Sequence, residues 1–390
     1  MIRHYRQMLA ACAASLMLTT APLAAFDTSA QAAFVLDEKT GTVLLAKNAD
    51  TPLPPASMSK LMTLYIAFEA VRDGRLDLEE ELPVSSHANS FGGSTLFLRQ
   101  GERVSVEDLI RGIIVLSGND ACVVIAEALS PDGTEAGFAR MMTQRAQQMG
   151  LTNSTFKNSS GWPAEGHVMS MRDLTLLARY IIEDFPEFYQ MFAETEFLFD
   201  EAESSNRFNR NPLLSLGIGA DGLKTGHTEE AGYGLVGSAK QGDRRVIFTL
   251  TGLDTAQARA EESESIVNWA FRQFAEKTIT RAGSVVSRAD VWMGAADTVD
   301  LVAKEDVTLL LPTTPGGGVT AEVVYTGPIE APIAEGHQLA ELIISPDGLP
   351  EHRIPLFAAN AVPASGFVSR MLSVSQVLMG RLRAPSEDTM

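Results

Sequence analysis

At 390 residues the chain is longer than one core usually supports, so two domains are expected. A formal charge of −18 excludes a nucleic-acid partner, because phosphate binding needs clustered cations. A hydrophobic content of 45% with 21% charged residues excludes a disordered chain and fits a soluble globular one. The six histidines are scattered without paired metal-ligand spacing, so neither a zinc peptidase nor any other bound metal or cofactor is expected.

In chain order, residues 1–25 have the form of an export signal. Arg3 and Arg6 precede an apolar run from Met8 to Leu18, and small residues follow around Ala24-Ala25. That run is too short for a permanent membrane span. Cys12 lies within it, but the stretch after Arg6 is too short for a lipidation signal, so Cys122 is left as the one mature cysteine and no intrachain disulfide can form. Phe34–Lys47 is expected to be a hairpin turning at Glu38-Lys39-Thr40-Gly41. Lys60–Val71 carries Leu61, Leu64, Tyr65, Phe68 and Val71 at helical spacing. Helices over Val106–Leu116 and Ala121–Leu129 leave Ser117-Gly118-Asn119 in a tight loop, and Cys122 packs on the second helix as a small hydrophobe. Ser170 with Asp173 marks a helix start. Strands follow at Asp221–Thr225, Gly232–Ser238 and Arg245–Leu253, then a helix over Glu261–Phe274.

This order implies an α/β (α+β) domain over 26–277, with helices covering a mainly antiparallel sheet. From 278 to 363 short β-rich runs alternate with Gly- and Pro-rich turns, the pattern of a small all-β sandwich with a supporting role. In the last segment, 364–390, Phe367, Met371, Val374, Leu378 and Leu382 share one helical face. Arg370, Arg381 and Arg383 are that helix's only charges. A basic amphipathic helix in so acidic a chain fits an anchor lying on a membrane surface.

Three short runs carry the chemistry. In Ser57-Met58-Ser59-Lys60, a helix starting at Ser57 would place the Lys60 amine beside the Ser57 hydroxyl. Ser117-Gly118-Asn119 supplies a hydroxyl for proton relay and an amide to hold a peptide. Lys224-Thr225-Gly226 supplies a second amine and a hydroxyl suited to gripping a carboxylate, and the small Gly226 is expected to let substrate backbone approach. Each run alone is common. In this order they match the signature of class A β-lactamases and penicillin-binding proteins.

With their flanks, Pro55–Thr63, Ser117–Cys122 and Asp221–Thr228, these motifs resemble the low-molecular-mass penicillin-binding D-alanyl-D-alanine carboxypeptidases. The resemblance runs from about Ala33 to the C-terminal region. It implies a serine β-lactamase/DD-peptidase-like catalytic domain acting on the peptidoglycan stem peptide, with β-lactams as covalent inhibitors. It also implies a following β domain and an anchor at the periplasmic face of the cytoplasmic membrane. Ser57 would be the nucleophile, Lys60 its base and Ser117 the relay. Asn119 would hold the substrate amide, and the backbone N–H groups of Ser57 and His227 the oxyanion. Lys224, Thr225, Arg259 and Arg210 would receive the terminal carboxylate. One departure is visible: relatives are expected to carry histidine before Gly161, where this chain has Ser160. A DD-endopeptidase shares all three motifs. A class A β-lactamase would favour Asp at Gly118 and lacks the later β domain. A peptidoglycan-binding shape protein that has lost turnover is opposed by the intact Ser57, Lys60, Ser117, Asn119 and Lys224.

Overall fold

The computed structural model describes residues 26–199, 205–313, 319–347 and 349–366. The expected export signal over 1–25 and the helix expected over Phe367–Arg383 lie outside the described residues. Among the longer elements of the first half, β1 (Ala32–Asp37) and β2 (Val43–Lys47) form the expected hairpin. Asp37 shapes its turn by accepting from the backbone N–H and hydroxyl of Thr40. Then come α1 (Lys60–Arg72), α2 (Val106–Arg111), α3 (Asn119–Leu129), α4 (Glu135–Gln148) and α5 (Met171–Asp184). Strands β3 (Ala220–Thr228), β4 (Gly232–Gln241) and β5 (Arg244–Leu253) precede α6 (Ala256–Gln273).

The five strands make one antiparallel sheet in the order β2-β1-β5-β4-β3. Alternation of side chains along each strand gives the sheet two apolar faces. Phe34, Leu36, Val236 and Ile247 join the core built by α1, α3 and α5. Ala33, Val35, Leu235 and Phe248 pack with Ile266, Val267 and Ala270 of α6. Helices therefore cover both faces, and β3 is left at the edge of the sheet.

Local chemistry moved several boundaries. The helix after Val106 gives way to a π-helical turn over Gly112–Leu116, and Ser117 then takes a left-handed conformation at φ +63°. Ser170 caps α5 by accepting from the Asp173 N–H, but Asp173 itself turns to the N–H of Asn153 and the hydroxyl of Ser154. The last helix begins at Ala256, five residues before Glu261, because Thr255 caps it by accepting from the Ala258 N–H.

The second half begins with no intervening loop, as β6 (Phe274–Thr280) follows α6 directly. β7 (Val285–Trp292), β8 (Thr298–Val302), β9 (Val307–Pro312), β10 (Val319–Val324), β11 (Ile329–Glu330), β12 (Gln338–Pro346) and β13 (His352–Ala358) complete it. β6 pairs with β9, and the rest form a sheet in the order β10-β12-β13-β8-β7-β11. Its core is wholly apolar, with Leu301, Ile344 and Leu356 at the centre. Arg244 ties the halves together. Its Nε donates to the buried Asp37 at 2.6 Å and its Nη1 to the Phe274 carbonyl at 2.8 Å. Among the described residues, no helix is long and apolar enough to cross a membrane.

Candidate active site

Ser57 sits in a 3-10 turn, Ala56–Ser59, which runs straight into α1 at Lys60. The expected helix thus starts one turn later than Ser57, yet the spacing still works. Lys60 Nζ donates to Ser57 Oγ at 2.8 Å and to the Ser160 carbonyl at 2.6 Å. The Lys60 side chain is wholly buried, and burial, helped by the charge of Arg210, lowers its pKa from 10.5 to about 8. A buried ammonium is penalised by lost hydration, so a neutral amine becomes accessible near physiological pH.

Lys224 projects from β3 and is also buried. Burial, then the charges of Lys60 and Arg210, hold it well below the ordinary lysine range. Its closest acceptor is the Thr225 carbonyl at 3.4 Å. Ser117 is buried where α2 and its π-helical turn meet α3, but it makes no hydrogen bond to either amine among the described residues. The donors of Lys60 are directed instead at Ser57 and the Ser160 carbonyl.

Asn119 opens α3, and its side chain donates to the Gly92 carbonyl at 2.8 Å while its N–H meets the Ser94 carbonyl at 2.7 Å. The adjacent Asp120 accepts from the N–H groups of Leu96 and Leu98. The loop over 92–98 is therefore fastened to the start of α3. Arg210 donates to Ser94 Oγ from the same rim, and Arg259, which is buried, donates to the Arg210 carbonyl at 3.4 Å. The Arg259 guanidinium lies 5.7 Å from the Tyr233 ring, on which His227 stacks at 3.8 Å. Lys60, Lys224, Arg210 and Arg259 thus lie close enough for their charges to act on one another, with Ser57 against Lys60.

Gly226 has a packing role that the sequence did not announce. A Cβ there would lie 3.0 Å from both Met58 and the Pro55 carbonyl, so its smallness lets β3 pack on the turn that carries Ser57. Gly161 does the same from the other side. Its φ is +79° and a Cβ would fall 1.9 Å from the Ala56 carbonyl.

Several residues escaped the sequence reading. Asn158 Oδ1 accepts from three successive N–H groups, those of Ser160, Gly161 and Trp162, which holds the Ser160 carbonyl against Lys60. The Asn-Ser-Ser-Gly run was a visible turn signal for this. Glu135 accepts from both the N–H and hydroxyl of Ser159, and Thr63 donates to the Ser159 carbonyl. His167 is buried behind the same loop. Burial and then the Lys60 charge lower its pKa to about 4, and its Nδ1 accepts from the Lys157 N–H. Cys122 packs as expected, fully buried, with burial pushing its thiol up to about 12. Such a thiol is inert at neutral pH.

A half-buried serine against a buried lysine, beside the edge strand of a sheet, is the arrangement of an acyl-transfer enzyme acting on extended peptide. Residues 17–255 match the family described as D-alanyl-D-alanine carboxypeptidase, and the chain belongs to that family and has its function. Residues 274–364 match the penicillin-binding protein 5 C-terminal domain. The D-alanyl-D-alanine carboxypeptidase DacC of Escherichia coli is 35% identical over 350 residues, covering 88% of this chain and 86% of that protein. DacF of Bacillus subtilis is 33% identical, with 87% of each chain covered. Among solved structures, penicillin binding protein 5 from Haemophilus influenzae aligns at a TM-score of 0.69 and 32% identity, over 87% of this chain and 98% of that one. Penicillin-Binding Protein D2 from Listeria monocytogenes, in its ampicillin-bound form, aligns at 0.56 and 33% identity, over 63% of this chain and 98% of that one.

Proposed function

We propose that the chain releases the terminal D-alanine from peptidoglycan pentapeptide stems through an acyl-enzyme on Ser57. The observation that carries this reading is the 2.8 Å contact between Ser57 Oγ and a Lys60 amine that burial has brought to a pKa of about 8. About a tenth of such an amine is neutral at pH 7, enough to serve as a base.

Ser57 Oγ attacks the carbonyl carbon of the penultimate D-alanine as its proton passes to Lys60 Nζ. The oxyanion forms between the backbone N–H groups of Ser57 and His227, each worth about 3–4 kcal/mol in the transition state. Collapse breaks the peptide bond, and the departing D-alanine nitrogen takes the proton through Ser117. Water then attacks the Ser57 ester, Lys60 accepts its proton, and the stem leaves one residue shorter with Ser57 restored. Asn119 holds the substrate amide. Lys224, Thr225 and the two arginines receive the terminal carboxylate. A β-lactam opens on Ser57 by the same attack and blocks it. No step needs a metal or cofactor.

Mass spectrometry of a pentapeptide muropeptide before and after incubation tests this, with loss of one alanine expected. A Ser57→Ala protein that still released alanine at the wild-type rate would end the mechanism.

Residues 26–277 act as the catalytic unit, 278–363 support it, and the chain works at the periplasmic face of the cytoplasmic membrane. The signal-like start and the basic amphipathic Phe367–Arg383 segment support that location. Deleting 366–390 should give an active enzyme in the soluble fraction; equal membrane association of both forms would reject the anchor.

A further inference from the structure

Glu135 opens α4 and is more than nine-tenths buried. A carboxylate in the first turn of a helix is favoured by the helix dipole. Its Oε1 accepts from the Ser159 N–H at 3.0 Å and from the Ser159 hydroxyl at 2.6 Å. Its Oε2 lies 3.1 Å from Nε2 of His87, an imidazole half exposed at the surface. One buried carboxylate thus links the surface to the segment that touches Lys60.

That segment is gripped from both sides. On α1, Lys60 donates to the Ser160 carbonyl and Thr63, one turn on, donates to the Ser159 carbonyl, both at 2.6 Å. Ser159 and Ser160 are wholly buried, and Glu135 on α4 holds the N–H directly before these two carbonyls. When Lys60 is neutral, its N–H on the Ser160 carbonyl leaves the nitrogen lone pair for the Ser57 hydroxyl, 2.8 Å away. The direction of that lone pair depends on where the Ser160 carbonyl stands. Without Glu135, two buried donors on Ser159 would lack an acceptor, a cost relieved only by turning the segment. Turning it takes the Ser160 carbonyl away from Lys60.

Glu135 also acts on Lys60 as a charge. Around the amine stand Asp120 and Cys122 of α3, Lys224 of β3, Arg210 at the rim and His167 behind the loop. The Cys122 thiol, at about 12, is neutral at neutral pH, and burial pushes the Asp120 carboxyl upward. The Glu135 carboxylate favours the charged amine and so moderates the fall that burial produces.

The structure assigns Glu135 as a positioning residue for acylation, acting through Ser159 on the carbonyl that orients Lys60, with His87 as its outer tether. This rests on the acyl-enzyme reading above and adds to it a residue outside the three motifs.

The test follows acylation of Ser57 in the full chain by a chromogenic cephalosporin in stopped flow, at pH values spanning the inflection near 8. Glu135→Ala should lower the plateau rate by about tenfold to a hundredfold, the scale of a reacting group misplaced by about an ångström. Glu135→Gln keeps an acceptor for Ser159 but loses the charge. It should recover most of that plateau, and its inflection should fall below the wild-type one. His87→Ala should lower the plateau by about two- to fivefold, the scale of one exposed pair. His87→Gln, whose amide also reaches Glu135, should restore it. A purely structural role would lower the melting temperature of the Glu135 variants without moving the inflection. An unmoved inflection in Glu135→Gln, or a wild-type plateau in Glu135→Ala, overturns the assignment and leaves the serine–lysine mechanism standing. If Glu135→Ala does not fold, the inflection of Glu135→Gln decides alone. A wild type that the cephalosporin does not acylate overturns both.

Discussion

The two halves of this molecule treat polar groups in opposite ways. Among the described residues, every buried polar or charged residue lies before residue 274, including Lys60, Lys224, Arg259, Asp120 and His167. Among the described residues of the second half, only apolar side chains are buried. Burying an amine costs several kcal/mol unless it loses its proton or gains partners. Retaining two of them in one cleft makes sense only where their altered protonation is used. The first half therefore gives up stability at its site, whereas the second is an ordinary packed sheet.

The largest test of this contrast is Ser57→Ala. Alanine release should fall by roughly 10⁴–10⁶-fold, penicillin labelling should vanish, and the melting temperature should barely move. Next is Lys60→Met, which should slow acylation by roughly 10²–10⁴-fold and stabilise the fold by roughly 0.5–2 kcal/mol. The wild-type acylation rate should rise with pH around an inflection near 8 as Lys60 loses its proton. The linked effect on folding has a definite sign. The folded pKa of Lys60 lies below its ordinary 10.5, so the unfolded chain binds more protons between about 8 and 10.5. Stability should climb across that window, with the full cost of the charge present below it. Denaturant titrations should show the rise weakened in Lys60→Met. Absence of the rise in the wild type would mean that Lys60 is not desolvated.

A smaller effect is expected from Gly161→Ala, which drives a Cβ into the Ala56 carbonyl. Overpacking of this kind costs about 1–3 kcal/mol, and the displaced Ser57 turn should slow acylation. Smallest for catalysis is Leu356→Ala in the second half. It should remove about 2–5 kcal/mol from that sheet's packing, read by calorimetry, while leaving kcat/KM unchanged. A large loss of turnover there would show that the two halves are not independent in function.

Much of the site was legible because three contiguous runs each carry their own chemistry. The Ser57–Lys60 spacing survived even though the helix starts late, since a 3-10 turn also brings residues three apart together. The hairpin, α1, α3 and the strand triplet were equally plain from periodicity. Hidden were groups that act through the main chain. The carbonyl of Ser160 anchors Lys60, and nothing about a serine side chain announces that. The reason for Gly226 was hidden too, because it depends on which neighbour packs against β3. In the second half the start of β6 carries no sequence signal, because it continues directly from a helix without a turn residue.

The sheet order has a consequence for timing. β1 lies between β2 and β5, so Ala32 pairs with Thr251 and Asp37 meets Arg244 across more than half the polypeptide. Until Arg244–Leu253 has been made, the opening hairpin has no neighbour to lie against. The catalytic half must therefore close late, from nearly its whole length at once, and such long-range pairing is slow. An amino-terminal fragment ending before Arg244 should therefore leave one side of β1 unpaired.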